Sequence, residues 1–270
     1  LCGAAVELVS RETAADGELL CRRLAPATMM QATPATWHLL LAAGWNGDAH
    51  LTTLCGGEAL SPRLAAQLVP RAAAAWNMYG PTETTIWSSV HAVAAADGGE
   101  GAAVTIGRPI ANTTFRIVDQ ELRPQPLGVP GELLIGGAGL ARGYHRRPRL
   151  TAARFVPDAL SRNPGERLYR TGDLARWGEG GRVDFLGRID TQVKLRGFRI
   201  ELGEIESLLA AHPLVEVAVV VLGDFSADSR SAENERSPSW GGAEDVRLIA
   251  YLVPAGAAQP EALPLRRHLR

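Results

Sequence analysis

His50–Val69 reads HLTTLCGGEALSPRLAAQLV. Its first third is an apolar, threonine-bearing run of strand length that stops at Gly56-Gly57. Ser61 then supplies a hydroxyl N-cap, and Pro62 supplies a preset φ at the first helical position. Strand, glycine turn and capped helix make half of a β/α repeat, and the flanking residues supply more of it. ATMMQAT (27–33) reads as a short strand. ATWHLLLAAGW (35–45) sets Trp37, Leu40 and Leu41 at helical spacing and stops at Gly44. AAVELV (4–9) is expected to form a further strand. This alternation predicts a parallel sheet with crossover helices, whose ligand-binding loops lie beyond the carboxyl ends of its strands. CGGE (55–58) and MYGPTE (78–83) both fall in loops of that kind.

Bulk properties exclude several function classes. The 270 residues are 46% hydrophobic, enough for a substantial core, and 28 basic residues against 29 acids leave a formal charge of -1. No basic face advertises a nucleic-acid partner. Cys2, Cys21 and Cys55 are odd in number and far apart, so they fit neither a disulfide framework nor a zinc site, and a reducing cytoplasm is the expected compartment. The six histidines include no His-x-His or His-x-x-x-His pair, which argues against imidazole-held metal. The longest apolar run, VEVAVVVLG (215–223), is strand-length, so no membrane partner is expected. No signal peptide is visible. The chain starts on Leu1, not Met, and ends on LPLRRHLR (263–270), which reads like mid-helix; both ends look cut.

From about residue 100 the texture becomes short β runs with Gly and Pro punctuation: TTFRIVD (113–119), GELLIGG (131–137) and GRVDFLG (181–187). After Asp190 it changes again. ELGEIESLLAAH (201–212) sets Leu202, Ile205, Leu208 and Leu209 on one helical face, and strands VEVAVVVL and VRLIAYLV follow. The Ser- and charge-rich stretch between them, 223–245, is expected to be a mobile insertion. The expected organisation is a large domain, 1–189, with an α/β layer over about 1–100 and a small β-barrel subdomain over about 101–189. The start of a small α+β domain, 190–270, follows a hinge near 190.

NMYGPTETTIW (77–87) carries more chemistry than a turn needs. The plain reading is a Gly-Pro turn capped by Thr82. In the functional one, a strand-end Tyr offers a flat face to a base, hydroxyls and turn amides hold phosphate oxygens, and Glu83 offers a carboxylate to Mg²⁺. By themselves TGD (171–173) and GRID (187–190) are an exposed-acid turn and a strand-end ion pair. Taken together and in order, QATPATW (31–37), NMYGPTETTIW, IGGAGLARGY (135–144), YRTGDLARW (169–177) and GRIDTQVKLRGFRIELGEIE (187–206) resemble the adenylate-forming enzyme superfamily. The resemblance is nearest to the amino-acid-activating (adenylation) domains of non-ribosomal peptide synthetases and spans essentially the whole chain.

That resemblance implies a reaction. An amino acid and ATP give aminoacyl-AMP and pyrophosphate, and the acyl group passes to a phosphopantetheine thiol on a carrier domain. Peptidyl-carrier and condensation domains are then the implied partners, with ATP/AMP and Mg²⁺ as cofactors. The resemblance implies that Tyr79 stacks on adenine, with Asn77, Met78, Gly80, Pro81 and Thr82 about the nucleotide and its phosphates. It implies Glu83 as the Mg²⁺ ligand, Asp173 as the ribose clamp, and Gly56, Gly57 and Glu58 along the adenine side. Arg188 is implied to reach ribose or phosphate oxygens, and Phe185, where the family often has Tyr, to serve as a packing wall. Lys194 is either a substrate or phosphate contact or a solvated strand lysine. Asp190 is implied as the hinge and Gly197 as an approach to the pantetheine channel, although Asp190 by itself reads equally as a turn acid. Ala32, Leu54, Gly56, Met78, Ile86 and Trp87 match pocket positions, without a charged partner among them; some read equally well as core.

Neither the family's Thr-Ser-Gly-Lys phosphate loop nor its Asn-Gly-Lys catalytic lysine stands in these residues, and the lysine is expected beyond Arg270. Losing one such charge-stabilising group typically costs ~2.7–4 kcal/mol in the transition state. The chain is therefore expected to be an internal fragment that makes aminoacyl-AMP poorly by itself. Stand-alone acyl-CoA or aryl-acid ligases share the outline, and a non-catalytic nucleotide-binding remnant is the alternative outside catalysis.

Overall fold

Short polar caps start the first four helices in the computed structural model. It describes residues 3–98, 104–195, 197–224 and 246–256, together with Leu265 and His268. Residues 4–9 form no strand, contrary to the sequence expectation: Val6 and Leu8 are 83% and 90% exposed, with no sheet beside them. Instead Ser10 caps α1 (Arg11–Ala15), and Asp16 caps α2 (Gly17–Leu24) by accepting the amide protons of Glu18 and Leu19 at 2.9 and 3.0 Å. Next come β1 (Met29–Ala32), α3 (Pro34–Ala42), β2 (Asp48–Gly56), α4 (Pro62–Leu68) and β3 (Ala72–Tyr79). Thr33 and Ser61 cap α3 and α4, each with proline in the first turn. Ser61→Ala removes the acceptor for the Leu64 amide (3.2 Å), and should cost about 1 kcal/mol in a denaturant melt.

Strands β1, β2 and β3 run parallel; β4 (Ser89–Ala92) and β5 (Arg108–Pro109) add antiparallel edges in the order β1-β2-β3-β4-β5. Trp37 and Leu40 of α3 and Leu64 and Leu68 of α4 pack on Ala32, Cys55 and Ala75 of the sheet. Full burial of each large side chain contributes about 1.5–3 kcal/mol. Because the three strands are parallel, β2 and β3 end side by side, with Gly56 opposite Met78. That shared end carries both loops singled out in the sequence.

A second, antiparallel sheet follows, built from β6 (Thr113–Val118), β7 (Gly131–Gly137), β8 (Phe155–Pro157), β9 (Arg167–Trp177) and β10 (Val183–Arg188), with α5 (Pro148–Arg154) leading into β8. Its order is β10-β9-β7-β6, with β8 on β9. Fully buried Ile117, Leu133, Ile135 and Val183 make its core together with Tyr79.

By contacts the chain divides into Leu1–Leu186 and Gly187–Arg270. The second unit contains the hairpin β11 (Val193–Leu195) and β12 (Phe198–Ile200), α6 (Leu202–Ala210), and the hairpin β13 (Val215–Asp224) and β14 (Val246–Pro254). Leu202, Leu209, Val215, Val220 and Leu265 form its core. Leu208 is 43% exposed and off the buried face expected for it, because it lies one position before Leu209 on the helix. Gly223 and Asp224, expected at the start of the insertion, pair with Arg247 and Val246 in the hairpin. The rest of that stretch, 225–245, lies outside the described residues. Among the described residues no helix is long and apolar enough to cross a membrane.

Candidate functional site

Tyr79 is the last residue of β3, and the chain after it closes into a tight loop. The Ser88 amide donates to the Tyr79 carbonyl at 2.8 Å. Thr84 and Ser88 join their hydroxyls at 2.6 Å, and the Thr84 hydroxyl also reaches the Pro81 carbonyl at 3.2 Å. Thr85 and Ile86 both take left-handed φ values, 63° and 68°. For β-branched residues this is an uncommon conformation, held here by the surrounding bonds. It turns Ile86 outward, 61% exposed, and folds half-buried Trp87 back over Gly56. A methyl group at Gly56 would stand 2.5 Å from Trp87 Cη2 and 2.7 Å from the Met78 carbonyl oxygen.

Parallel register decides which pocket candidates share a face. Directly opposed residues point the same way, so Leu54 and Trp76, and Gly56 and Met78, line one side of the sheet. Ala32 does not join them. It lies opposite Cys55 on the other face and packs under the helices, so it is a core residue. The β1 residue opposite Leu54 is exposed Gln31, a polar wall that the sequence expectation left out. Asn77 also faces away from Met78; its amide is buried and donates to the Thr105 carbonyl at 2.9 Å, holding the segment that leads into β5.

TGD sits in a distortion of the β7–β9 ladder. Glu132 pairs with Leu174 and Leu134 with Arg170, so Thr171, Gly172 and Asp173 together oppose the single residue Leu133. This is an enlarged β-bulge, a device that re-aims side chains next to sites. Thr171 donates to the Leu133 carbonyl at 2.6 Å and accepts the Asp173 amide at 2.9 Å. Gly172 takes φ 72°, and its amide donates to Glu132 Oε1 at 3.2 Å. The bulge delivers Asp173, 2% exposed, to Tyr79, whose hydroxyl donates to Asp173 Oδ2 at 2.5 Å. Phe185 packs at the Tyr79 ring with centroids 6.3 Å apart.

Glu83 is tied down from the opposite side. Its backbone carbonyl accepts from the Ala141 amide at 2.8 Å, and the Thr85 hydroxyl donates to the Gly139 carbonyl at 2.7 Å. The Tyr144 hydroxyl donates to Glu83 Oε1 at 2.7 Å and lies 3.4 Å from the Tyr169 hydroxyl. Burial, then the neighbouring Tyr169 and Glu83 oxygens, push the Tyr144 phenol far above its ordinary range, so it remains a donor. Among the described residues no three metal-type side chains come together. A cation at Glu83 would meet a carboxylate, a hard oxygen ligand.

In the second unit, Arg188 grips Asp190 through Nε at 2.8 Å and Nη2 at 2.6 Å. Lys194 stands opposite Arg199 in the β11–β12 hairpin, and Gly197 supplies a φ of 80° at its turn. The turn alone thus requires a glycine there.

Residues 1–145, more than half the chain, match the family model described as AMP-binding enzyme. The chain belongs to that family. It is 43% identical over 274 residues to a dimodular nonribosomal peptide synthase of Bacillus subtilis (strain 168), covering 98% of this chain and 11% of that protein. It is 41% identical over 281 residues to tyrocidine synthase 3 of Brevibacillus parabrevis, covering 98% of this chain and 4% of that one. Among solved structures it is similar to a four-domain nonribosomal peptide synthetase, holo-AB3403, at 40% identity and a TM-score of 0.65, covering 99% of this chain and 19% of the other. The chain thus spans a small part of the relatives it matches. Its mixed α/β fold is that of adenylation domains of this family.

The structure brings Tyr79 together with Asp173, and Gly56 with Met78 and Trp87. It adds Gln31, Glu132, Tyr144 and Thr171, which sequence reasoning did not place in the site. A buried acid opening an otherwise apolar strand, Glu132, and the tyrosine ending IGGAGLARGY were the available signals.

Proposed function

We propose that the first unit forms the nucleotide side of an amino-acid-activating site, which makes aminoacyl-AMP and pyrophosphate from an amino acid and ATP. The observation that carries this reading is the 2.5 Å bond between Tyr79 Oη and Asp173 Oδ2. It joins two segments 94 residues apart, each of which offers nucleotide chemistry. The similar four-domain synthetase was solved with AMP and glycine bound, which supports the same ligand class here.

In this reading Tyr79 stacks on the adenine with Phe185 as a packing wall beside the Tyr79 ring, and Gly56, Gly57 and Glu58 lie along the adenine edge. Asp173 accepts from the ribose hydroxyls, because a single carboxylate offers acceptors to both. Gly80, Pro81 and Thr82 border the phosphates, and Glu83 is the residue that would hold Mg²⁺, which when bound would supply charge neutralisation at phosphate oxygens. Leu54, Gly56, Met78, Ile86 and Trp87, with Gln31, border an uncharged amino-acid side chain. In the second unit Asp190 serves as the hinge and Gly197 as the pantetheine approach, and Arg188 and Lys194 offer cationic groups of the kind that bind phosphate oxygens. Loading of a phosphopantetheine carrier follows, beside condensation domains. ATP as co-substrate suits the cytoplasm.

Calorimetric titration with AMP tests the reading. One AMP per chain is expected, and no heat of binding would overturn it. Amino-acid-dependent ATP–pyrophosphate exchange by the 270 residues alone should be weak, since no Thr-Ser-Gly-Lys loop or Asn-Gly-Lys lysine stands among them.

A further inference from the structure

We propose that Glu132 is a positioning residue for nucleotide recognition: it holds the TGD bulge in the one shape that aims Asp173 at the ribose. This rests on the reading of Asp173 as the ribose acceptor and goes beyond it by naming what sets the aim.

In a regular antiparallel ladder each residue of β9 would pair with one of β7, and the pleat would dictate where its side chain points. Between Leu134 and Glu132 that control is lost, because three residues face Leu133. The backbone groups taken out of the ladder need other partners, since a buried polar group without one costs about 1–3 kcal/mol. Thr171 satisfies two of them, the Leu133 carbonyl and the Asp173 amide. Another, the Gly172 amide, donates to Glu132 Oε1 at 3.2 Å.

A carboxylate suits this task better than a neutral acceptor. Glu132 is 8% exposed, and its second oxygen takes both Arg170 Nη2 at 2.5 Å and Arg170 Nε at 3.0 Å. The guanidinium balances the buried charge and fixes the rotamer, while the charged acceptor strengthens the bond to Gly172. Gly172 in turn holds a left-handed φ that a non-glycine residue would resist. Two residues beyond Arg170 the clamp acts on Gly172, and the next residue is Asp173. A small rotation at Gly172 swings that carboxylate away from Tyr79. Glu132 itself touches no reacting group; it acts through the bulge.

The test compares AMP with 2′,3′-dideoxy-AMP by calorimetry. Wild type should prefer AMP by at least about 30-fold, from hydrogen bonds between the ribose hydroxyls and a charged acceptor. Asp173→Ala should bring the ratio to about 1, which establishes that Asp173 reads the ribose. Glu132→Ala should lower it to within about 3-fold of 1, whereas Glu132→Gln, which keeps an oxygen for Gly172, should hold it within about 3-fold of wild type. General destabilisation would weaken both ligands alike and leave the ratio intact. If Glu132→Ala does not fold, Glu132→Met keeps the side-chain volume and lets Arg170, 37% exposed, regain water. A ratio unmoved by Asp173→Ala would sink the ribose reading. A ratio that collapses in Asp173→Ala but survives Glu132→Ala or Glu132→Met would sink the positioning role alone. Wild type that binds no AMP overturns both.

Discussion

Asp173→Ala is expected to raise the AMP dissociation constant at least about 30-fold and also to destabilise the fold. Two losses combine. A hydrogen bond to a charged acceptor contributes about 1.5–3 kcal/mol, so losing both ribose contacts costs about 3–6 kcal/mol in full, and about 2 kcal/mol, a factor of about 30, where water replaces one. In the free protein, the bond from Tyr79 Oη to Asp173 Oδ2, 2.5 Å long and buried, is lost as well. A hydrogen bond to a charged acceptor contributes about 1.5–3 kcal/mol, readable as an earlier urea midpoint. Asp173→Asn preserves the volume and one acceptor oxygen and should fall between the two in both measurements. An alanine variant that binds AMP within about 3-fold of wild type would remove Asp173 from the ribose site.

Gly80→Ala should have the second largest effect, and it acts through backbone alone. The added methyl would lie 2.4 Å from the Ile86 carbonyl oxygen, 2.7 Å from the Ser88 nitrogen and 3.0 Å from the Ile86 carbonyl carbon. No flexible side chain can move aside to relieve this. Ile86 is already in the left-handed region, so the loop must open at its closing bond from Ser88 to the Tyr79 carbonyl. Overpacking of this kind costs about 1–3 kcal/mol, and the lost hydrogen bond adds about 1 kcal/mol. Opening the loop also lifts Trp87 from Gly56 and shifts Thr82 and Glu83. Thermal unfolding should come several degrees earlier, with AMP binding weakened in the same variant. An unchanged melt with unchanged affinity would show that the loop tolerates the methyl and that its closure does not shape the site.

Much of the fold was legible residue by residue. Ser61-Pro62 announced a helix that is found where its cap stands, and the spacing of Trp37, Leu40 and Leu41 announced another. GELLIGG and TTFRIVD announced strands. The N-terminal stretch misled because AAVELV alternates like a strand but has no sheet beside it, while the caps Ser10 and Asp16 went unread. Ala32 misled for a different reason. One residue of strand register decides which sheet face a side chain meets, and register is set by neighbours in space. That is why Gln31 is on the pocket face and Ala32 is in the core.

By itself the sequence determined the chemistry available: a strand-end tyrosine, a Gly-Pro corner, Glu83 and Asp173, in an order that names a family. Local propensity and capping act over a few residues, so they can be read from a string. Tertiary structure alone decided how those groups meet. Tyr79 and Asp173 share a hydrogen bond across 94 positions, Tyr144 reaches Glu83 across 61, and Glu132 holds a bulge that exists only because two strands pair out of step. Such bonds depend on strand pairing and burial, which no stretch of local sequence contains.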